Sequence, residues 1–473
     1  VIQEKSVKTQ SNTEIFLSCE QNGDFNDLEY GSLQIWPFIK RHFIMKIDRV
    51  NMDKSNIPVN KLHQKKVPKL FFYFSSLKYL ICKYDYFVFT EPNRIRQHNG
   101  IYYDRLLSGI FEYIDYKKTL SFYGTTSDEN FNTLVNKIST EKIGIKLHEK
   151  IFDSIVSLIV KIRRLIFGRL HFEKIDNLLK TLEINNIDYS SNAEKLYAKY
   201  LVFKIVFKIY RPKIIFLSNA RPCIFRAAYE LSIPTVEFQH GVINNSPVYR
   251  CQNNLFKSYG PSFFLSFGKT EKDYFDEYHG YVQSQVIPIG NFFLNKAVKT
   301  PAKLHIDTSE YDLVFCVSLQ HTILKETAEL IFKLASLHPT FLFILIPRGE
   351  LEWINIDDEI KNIILSKKYN CYDVLSISDF HVTGHSSCAL ETAIFEIPNL
   401  FINWHGKSVE FFNDYITKVP SNTLLEPEDV IEFFAKLNKN TKYKIVSDDD
   451  YYFVKNYDKE ISLFFKEVLH KYN

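Results

Sequence analysis

Short runs of β-branched and aromatic residues recur along this chain, separated by segments of helical period. That alternation admits few architectures other than layered α/β. Residues 213–217, 235–238, 263–267, 285–289, 312–317, 341–346, 379–383 and 399–403 read as strands, as do 70–74 and 86–90 nearer the start. Between them, 193–210, 221–231, 269–278, 323–337 and 388–395 read as helices. Strand, helix and strand joined by short connections require parallel neighbours. The pattern occurs twice, so the chain is expected to form two Rossmann-like, doubly wound domains facing across a cleft. Residues 1–250 would form the first domain and 251–426 the second, with the polar segment 244–260 at the boundary. Helices in 427–473 would pack back across both, and the polar start, residues 1–12, is the one candidate for disorder.

At 473 residues the chain is long enough for two or three domains. Its 59 Lys and Arg nearly match its 55 Asp and Glu, so the formal net charge of +4 gives no electrostatic reason to expect nucleic acid. Seven cysteines are scattered singly, with no Cys-x-x-Cys pair, which fits a reducing cytoplasm. No apolar run is long enough to span a bilayer. Residues 151–167 come nearest, interrupted by Lys161, Arg163 and Arg164. They are read here as a buried helix with snorkelling bases, the alternative being a helix lying on a membrane surface at the inner face of the cytoplasmic membrane.

In open parallel sheets, ligands sit beyond the carboxyl ends of the strands. The most informative loop of this kind is Thr383-Gly384-His385-Ser386-Ser387-Cys388-Ala389-Leu390-Glu391. A strand ends, Gly384 permits a turn, and two small hydroxyl residues open a helix whose free N–H groups favour phosphate. Glu391, about one turn on, is placed for a ribose diol. A plain serine N-cap with a capping-box acid would give the same pattern.

With the residues leading into it and Pro398 beyond, this stretch resembles the donor-site motif of GT-B glycosyltransferases. It is also similar to the turn of UDP-N-acetylglucosamine 2-epimerase and of CDP-glycerol transferases. Ile287-Pro288-Ile289-Gly290-Asn291 resembles the strand-Gly-Asn turn at the cleft of those proteins, and Glu237-Phe238-Gln239-His240-Gly241 the Gln-His-Gly loop of capsule and lipopolysaccharide transferases. The resemblance implies that Gly384, His385, Ser386 and Ser387 hold the donor phosphate, that Glu391 holds the ribose, and that Gly290 and Asn291 floor the cleft. It implies that His240, aided by Glu237, is the base or leaving-phosphate ligand. Arg94 and Arg96, in an Arg-rich loop followed by Tyr103-Asp104-Arg105, would meet an acidic acceptor, and Asn219 and Arg221, in a second loop at a strand's carboxyl end, would line the acceptor side.

Two departures matter. Glu396 stands where relatives carry Gly, and Pro347-Arg348-Gly349-Glu350 replaces a His-Pro pair, with Arg348 offering a positive charge to the donor. The implied activity is transfer of a sugar from a nucleotide sugar to a surface polysaccharide (capsule or O-antigen) or a lipid-linked saccharide, with no cofactor and no metal. A nucleotide-sugar epimerase, a polyol-phosphate transferase and a non-catalytic binding subunit are the alternatives.

Overall fold

The computed structural model describes residues 12–31, 33–41, 43–44, 79, 81–124, 135–184, 187–243, 248–320, 323–347, 360–366, 369–412, 414–419, 421–438 and 450–472. The expected strand at 70–74, the polar start before residue 12 and Arg348 lie outside the described residues.

Two parallel sheets carry the chain. The first holds seven strands: β1 (Tyr86–Thr90), β2 (Thr119–Tyr123), β3 (Ile145–His148), β4 (Ile214–Leu217), β5 (Thr235–Phe238), β6 (Phe263–Ser266) and β7 (Gln285–Pro288). Their spatial order is β7-β6-β5-β4-β1-β2-β3. The second holds β8 (Leu313–Ser318), β9 (Phe341–Ile346), β10 (Ile363–Leu365), β11 (Phe380–Thr383), β12 (Asn399–Ile402) and β13 (Asn422–Leu425), ordered β10-β9-β8-β11-β12-β13. In both, the chain starts at an inner strand and winds outward in two directions, the doubly wound pattern expected from the sequence.

Sheet membership differs from the sequence reading at one point. β6 and β7, expected to open the second domain, extend the first sheet: Phe263 pairs with Val236, and Gln285 with Phe263. Residues 251–288 therefore complete the first sheet, and the chain crosses to the second between Pro288 and Leu313. Apolar periodicity reports which face of a strand is buried but not which strand lies beside it.

Both faces of the first sheet are covered. Phe87 and Phe89 of β1 pack into a core with α1 (Asp153–Phe167), α2 (Tyr189–Tyr210) and α3 (Pro222–Tyr229), while Tyr86 and Val88 point the other way. The second core reaches Val314 and Cys316 of β8, so one apolar cluster runs between the sheets. The C-terminal segment crosses back onto the first sheet. Lys269 and Thr270 N–H groups donate to the Tyr451 carbonyl at 2.6 and 3.0 Å, and Phe465 stacks on Tyr113 at 4.7 Å.

α1 corrects a second expectation. Only Val156 and Val160 of this helix are buried, while Leu165 is 87% exposed, so most of its apolar residues do not fill the core.

Candidate functional site at the interdomain cleft

The loops at the carboxyl ends of both sheets meet, and the turn after β11 is the centre of the second domain's contribution. The helix expected at 388–395 is one α-helical turn, Cys388–Glu391, that tightens into a 3₁₀ turn, Thr392–Phe395. It ends at Glu396, whose φ of +58° is left-handed. A carboxylate side chain tolerates that region only under strain, which accounts for the glycine found there in the proteins this motif resembles. Gly384, expected to permit the turn by conformational freedom, has no left-handed φ, and a Cβ there would press on the end of the Ile323 side chain.

Within the turn the two serines divide. Ser386 is buried, its Oγ accepting from the Cys388 N–H at 3.3 Å and its own N–H donating to Thr383 Oγ1 at 3.1 Å. Ser387 and His385 are half-buried, and the His385 N–H donates to Gln320 Oε1 at 2.9 Å from the loop after β8. Beneath the turn, His381 bonds Ser318 Oγ and Asn399 Oδ1, each at 2.8 Å, and Asn399 Nδ2 donates to the Ala389 carbonyl at 3.0 Å. Burial holds the His381 imidazole down at about 4, so this support is neutral at physiological pH. Cys316, Cys371 and Cys388, far apart in sequence, gather here, the first two with sulfurs 3.9 Å apart.

The first domain answers with three arginines. Pro92–Arg94 forms a 3₁₀ turn after β1, and a hairpin, Ile95–His98 with Ile101–Asp104, follows. Asp104 is fully buried, accepts the Leu106 and Leu107 N–H groups at 2.9 Å each and receives the Thr90 hydroxyl, which fixes the backbone presenting Arg105. Arg105 then reaches across: its Nη1 donates to Tyr372 Oη at 2.9 Å, and its Nη2 lies 3.5 Å from Glu391 Oε1. Tyr372 donates in turn to Glu391 Oε2 at 3.0 Å. Burial works against the Arg105 charge, but Tyr372 and Glu391 more than compensate and raise its pKa. Arg96 is half-buried, its Nη1 donating to the Asn93 and Ile95 carbonyls at 2.9 and 2.8 Å, and burial, then the charge of Arg105, lowers its pKa.

His240 completes the first domain's side. Its carbonyl faces Arg94 Nη1 and Arg105 Nη2, both at 3.5 Å. Gln239, fully buried, braces the loop by donating to the Gly241 carbonyl at 2.9 Å and to Glu271 at 2.8 Å. Burial, then the charges of Arg94, Arg41 and Arg105, push the His240 imidazole well below its ordinary pKa, so it is neutral at pH 7. Arg94 is itself lowered to about 10 by burial and by Arg105, yet remains charged at neutral pH.

Several buried polar atoms here have no hydrogen-bond partner: Arg94 Nε, Arg105 Nε, His240 Nδ1, Asn291 Nδ2, Gln320 Nε2 and Glu391 Oε1. Four of the six are obligate donors, and buried polar groups in native proteins are normally satisfied. Donors and guanidinium groups placed together in this way are complementary to an anion. Asn291 is otherwise spent on its own helix, Phe292–Lys299, accepting the Phe293 and Leu294 N–H groups at 2.9 and 3.2 Å. Gly290, with φ of +77°, is covered by Val454.

The remaining expected residues stand apart. Glu237 faces away from Val236 and Phe238 and takes the Tyr281 hydroxyl at 2.6 Å. Burial raises its carboxyl to about 8. Asn219 and Arg221 bond each other at 3.0 Å, and they also engage Glu91 and Glu149, respectively. Arg105 and Tyr372 were missed as site residues by sequence reasoning. Arg105 lay in the Tyr103-Asp104-Arg105 segment singled out in the sequence, whereas nothing local marks Tyr372.

Among the described residues, no helix is long and apolar enough to cross a membrane, and no group of three or more His, Cys, Asp or Glu could hold a metal ion. No protein-family model and no curated protein matches the chain. Solved structures do. A UDP-N-acetylglucosamine 2-epimerase superposes with a TM-score of 0.51 at 10% identity, over 83% of this chain and 97% of that one. The S. aureus MnaA–UDP co-structure gives 0.50 at 10% identity, over 82% and 97%. The calicheamicin glycosyltransferase CalG4 gives 0.45 at 13% identity, over 82% and 100%. With its two parallel sheets, the chain therefore has the two-domain α/β fold of the GT-B type, which nucleotide-sugar enzymes of differing chemistry share.

Proposed function

We propose that this chain is a glycosyltransferase that moves a sugar from a nucleotide sugar to a growing bacterial surface polysaccharide or a lipid-linked saccharide. The observation that supports this reading is Arg105 of the first domain reaching Tyr372 and Glu391 of the second beside Arg94 and His240, with buried donors around them left without a partner. The guanidinium groups of Arg94 and Arg105 offset the charge that develops on a leaving diphosphate, so the reading assigns the reaction no metal and no cofactor. Ser387 and the turn's backbone would hold the phosphates, and Glu391 would take the ribose once Arg105 turns toward the diphosphate. Arg94 is thus reassigned from acceptor to donor. His240, neutral and half-buried beside the arginines, is in place either to accept the proton of an acceptor hydroxyl or to donate to the departing phosphate. Arg348 remains a proposed donor contact on sequence grounds alone.

One solved neighbour was crystallised with UDP, so uridine nucleotides are the first to try. Thermal-shift titration against UDP, GDP, CMP and CDP should give one clear stabiliser. Product analysis with the matching nucleotide sugar then tests the chemistry. Free nucleotide released in step with a saccharide acceptor supports transfer. An isomerised nucleotide sugar formed without an acceptor identifies an epimerase, and binding without turnover a non-catalytic subunit.

A further inference from the structure

Eight large apolar side chains stand in solvent on two adjacent helices. On α1, Ile155 is 49% exposed, Leu158 57%, Ile162 47%, Leu165 87%, Ile166 64% and Phe167 71%. On α2, Ile205 is 59% and Ile209 70% exposed. The α1 positions 155, 158, 162, 165 and 166 recur at helical spacing and form one outward arc, while Val156 and Val160 form a separate inward arc that packs on the core. Folding uses only the inward arc. Other exposed large apolar residues are scattered along the described chain, as is usual for a protein surface.

Bases border this arc, three of them paired with acids: Arg164 with Glu194, Arg169 with Asp188 and Lys204 with Glu230. Lys161 is exposed on its flank, and Arg169 follows the helix end. Arg163 lies over the Tyr30 ring at 3.5 Å, and Arg164 pairs with Glu194 at 2.6 Å. On α2, Lys204 and Lys208 flank Ile205 and Ile209. Apolar side chains bordered by bases are the composition of a helix lying in the plane of lipid headgroups, with the apolar arc in the acyl boundary and the bases on phosphates. The exposed bases Lys161 and Lys208 would meet like charges if two copies of this face packed together, which disfavours self-association. The helix also starts near the carboxyl end of the first sheet: Glu149, four residues before it, holds Arg221 in the loop after β4.

We propose that the outward arc of α1, extended by Ile205 and Ile209 of α2, docks the protein peripherally on an anionic phospholipid bilayer. This surface is independent of the transferase reading, because it concerns lipid contact and not the cleft.

The test is co-sedimentation of the full chain with vesicles of phosphatidylcholine alone or with about one-third phosphatidylglycerol. The wild-type chain should sediment with the anionic vesicles and be released by salt. Leu158→Glu combined with Leu165→Glu should lower partitioning by roughly tenfold or more, and Lys161→Glu should weaken binding to anionic vesicles only. The melting temperature and its shift by UDP should not change, since all three side chains are exposed. No sedimentation of the wild-type chain, or equal sedimentation of the double variant, would overturn the proposal. So would a lipid-free dimer that the double variant abolishes, because the face would then belong to a second copy.

Discussion

Arg105 follows the hairpin of the first domain and Glu391 sits in the helical turn after β11 of the second, yet Arg105 Nη2 is 3.5 Å from Glu391 Oε1, and Tyr372 bonds both side chains. Glu391 is fully buried and Arg105 nearly so, so each needs the other's charge. Removing one partner of such a pair leaves an uncompensated buried charge, which costs about 3–5 kcal/mol. Arg105→Ala is therefore expected to lower unfolding stability by about that amount. Adding Glu391→Gln should return a large part of it. Denaturant unfolding of the two single variants and the double variant measures the coupling, and simple additivity would show that the pair does not hold the domains together.

A bound anion should change His240. Two of the arginines that depress its imidazole, Arg94 and Arg105, also reach its carbonyl, so a diphosphate neutralising them would raise the pKa toward its ordinary value. Proton uptake then accompanies binding, and UDP affinity should strengthen as pH falls toward 6. NMR titration of labelled histidine with and without UDP reads this directly. An unmoved His240 resonance in the presence of saturating nucleotide would mean that the anion binds elsewhere.

Glu237 predicts a pH effect of defined sign. Its carboxyl is raised to about 8 in the fold by burial, above its ordinary value, so between roughly pH 4.5 and 8 the folded chain keeps a proton that the unfolded chain releases. Its contribution is therefore fully present below the unfolded pKa and is lost as pH rises through the folded one. Glu237→Gln keeps an acceptor for the Tyr281 hydroxyl and has no proton to lose. The variant should melt close to wild type at pH 5 and higher at pH 8.5, by roughly 1–3 °C. Parallel melting curves at both pH values would refute the assignment.

Local pattern carried the elements, and non-local contact decided what the pattern left open. The runs at 263–267 and 285–289 were legible as strands, but that the first lies beside β5 and the second beside the first is named only by tertiary pairing. The turn from Gly384 to Glu391 was legible because its chemistry is contiguous. Tyr372 was not, because the Arg105 it meets is 267 residues away. At 151–167, a buried helix and a surface helix share one apolar pattern, and only the burial of Val156 and Val160 separates the two arcs.

Two glycines of similar backbone geometry offer a controlled comparison for the C-terminal segment. Gly100, in the hairpin turn, has φ of +81° with nothing within 4 Å of a built Cβ, whereas Gly290 has φ of +77° with the Val454 carbonyl oxygen 2.2 Å from one. Alanine at either position incurs the left-handed strain of about 1–2 kcal/mol. At Gly290 it must also push Val454 aside, and the Val454 N–H is held on the Phe267 carbonyl at 2.7 Å. Gly290→Ala should therefore be the more destabilising of the two and should loosen residues 450–454 where they cross onto the first sheet. Limited proteolysis reads this as faster cleavage near Tyr451 and Tyr452, with Gly100→Ala cut at the wild-type rate. Equal melting temperatures and equal cleavage in both variants would mean that the C-terminal segment does not depend on its seat at Gly290.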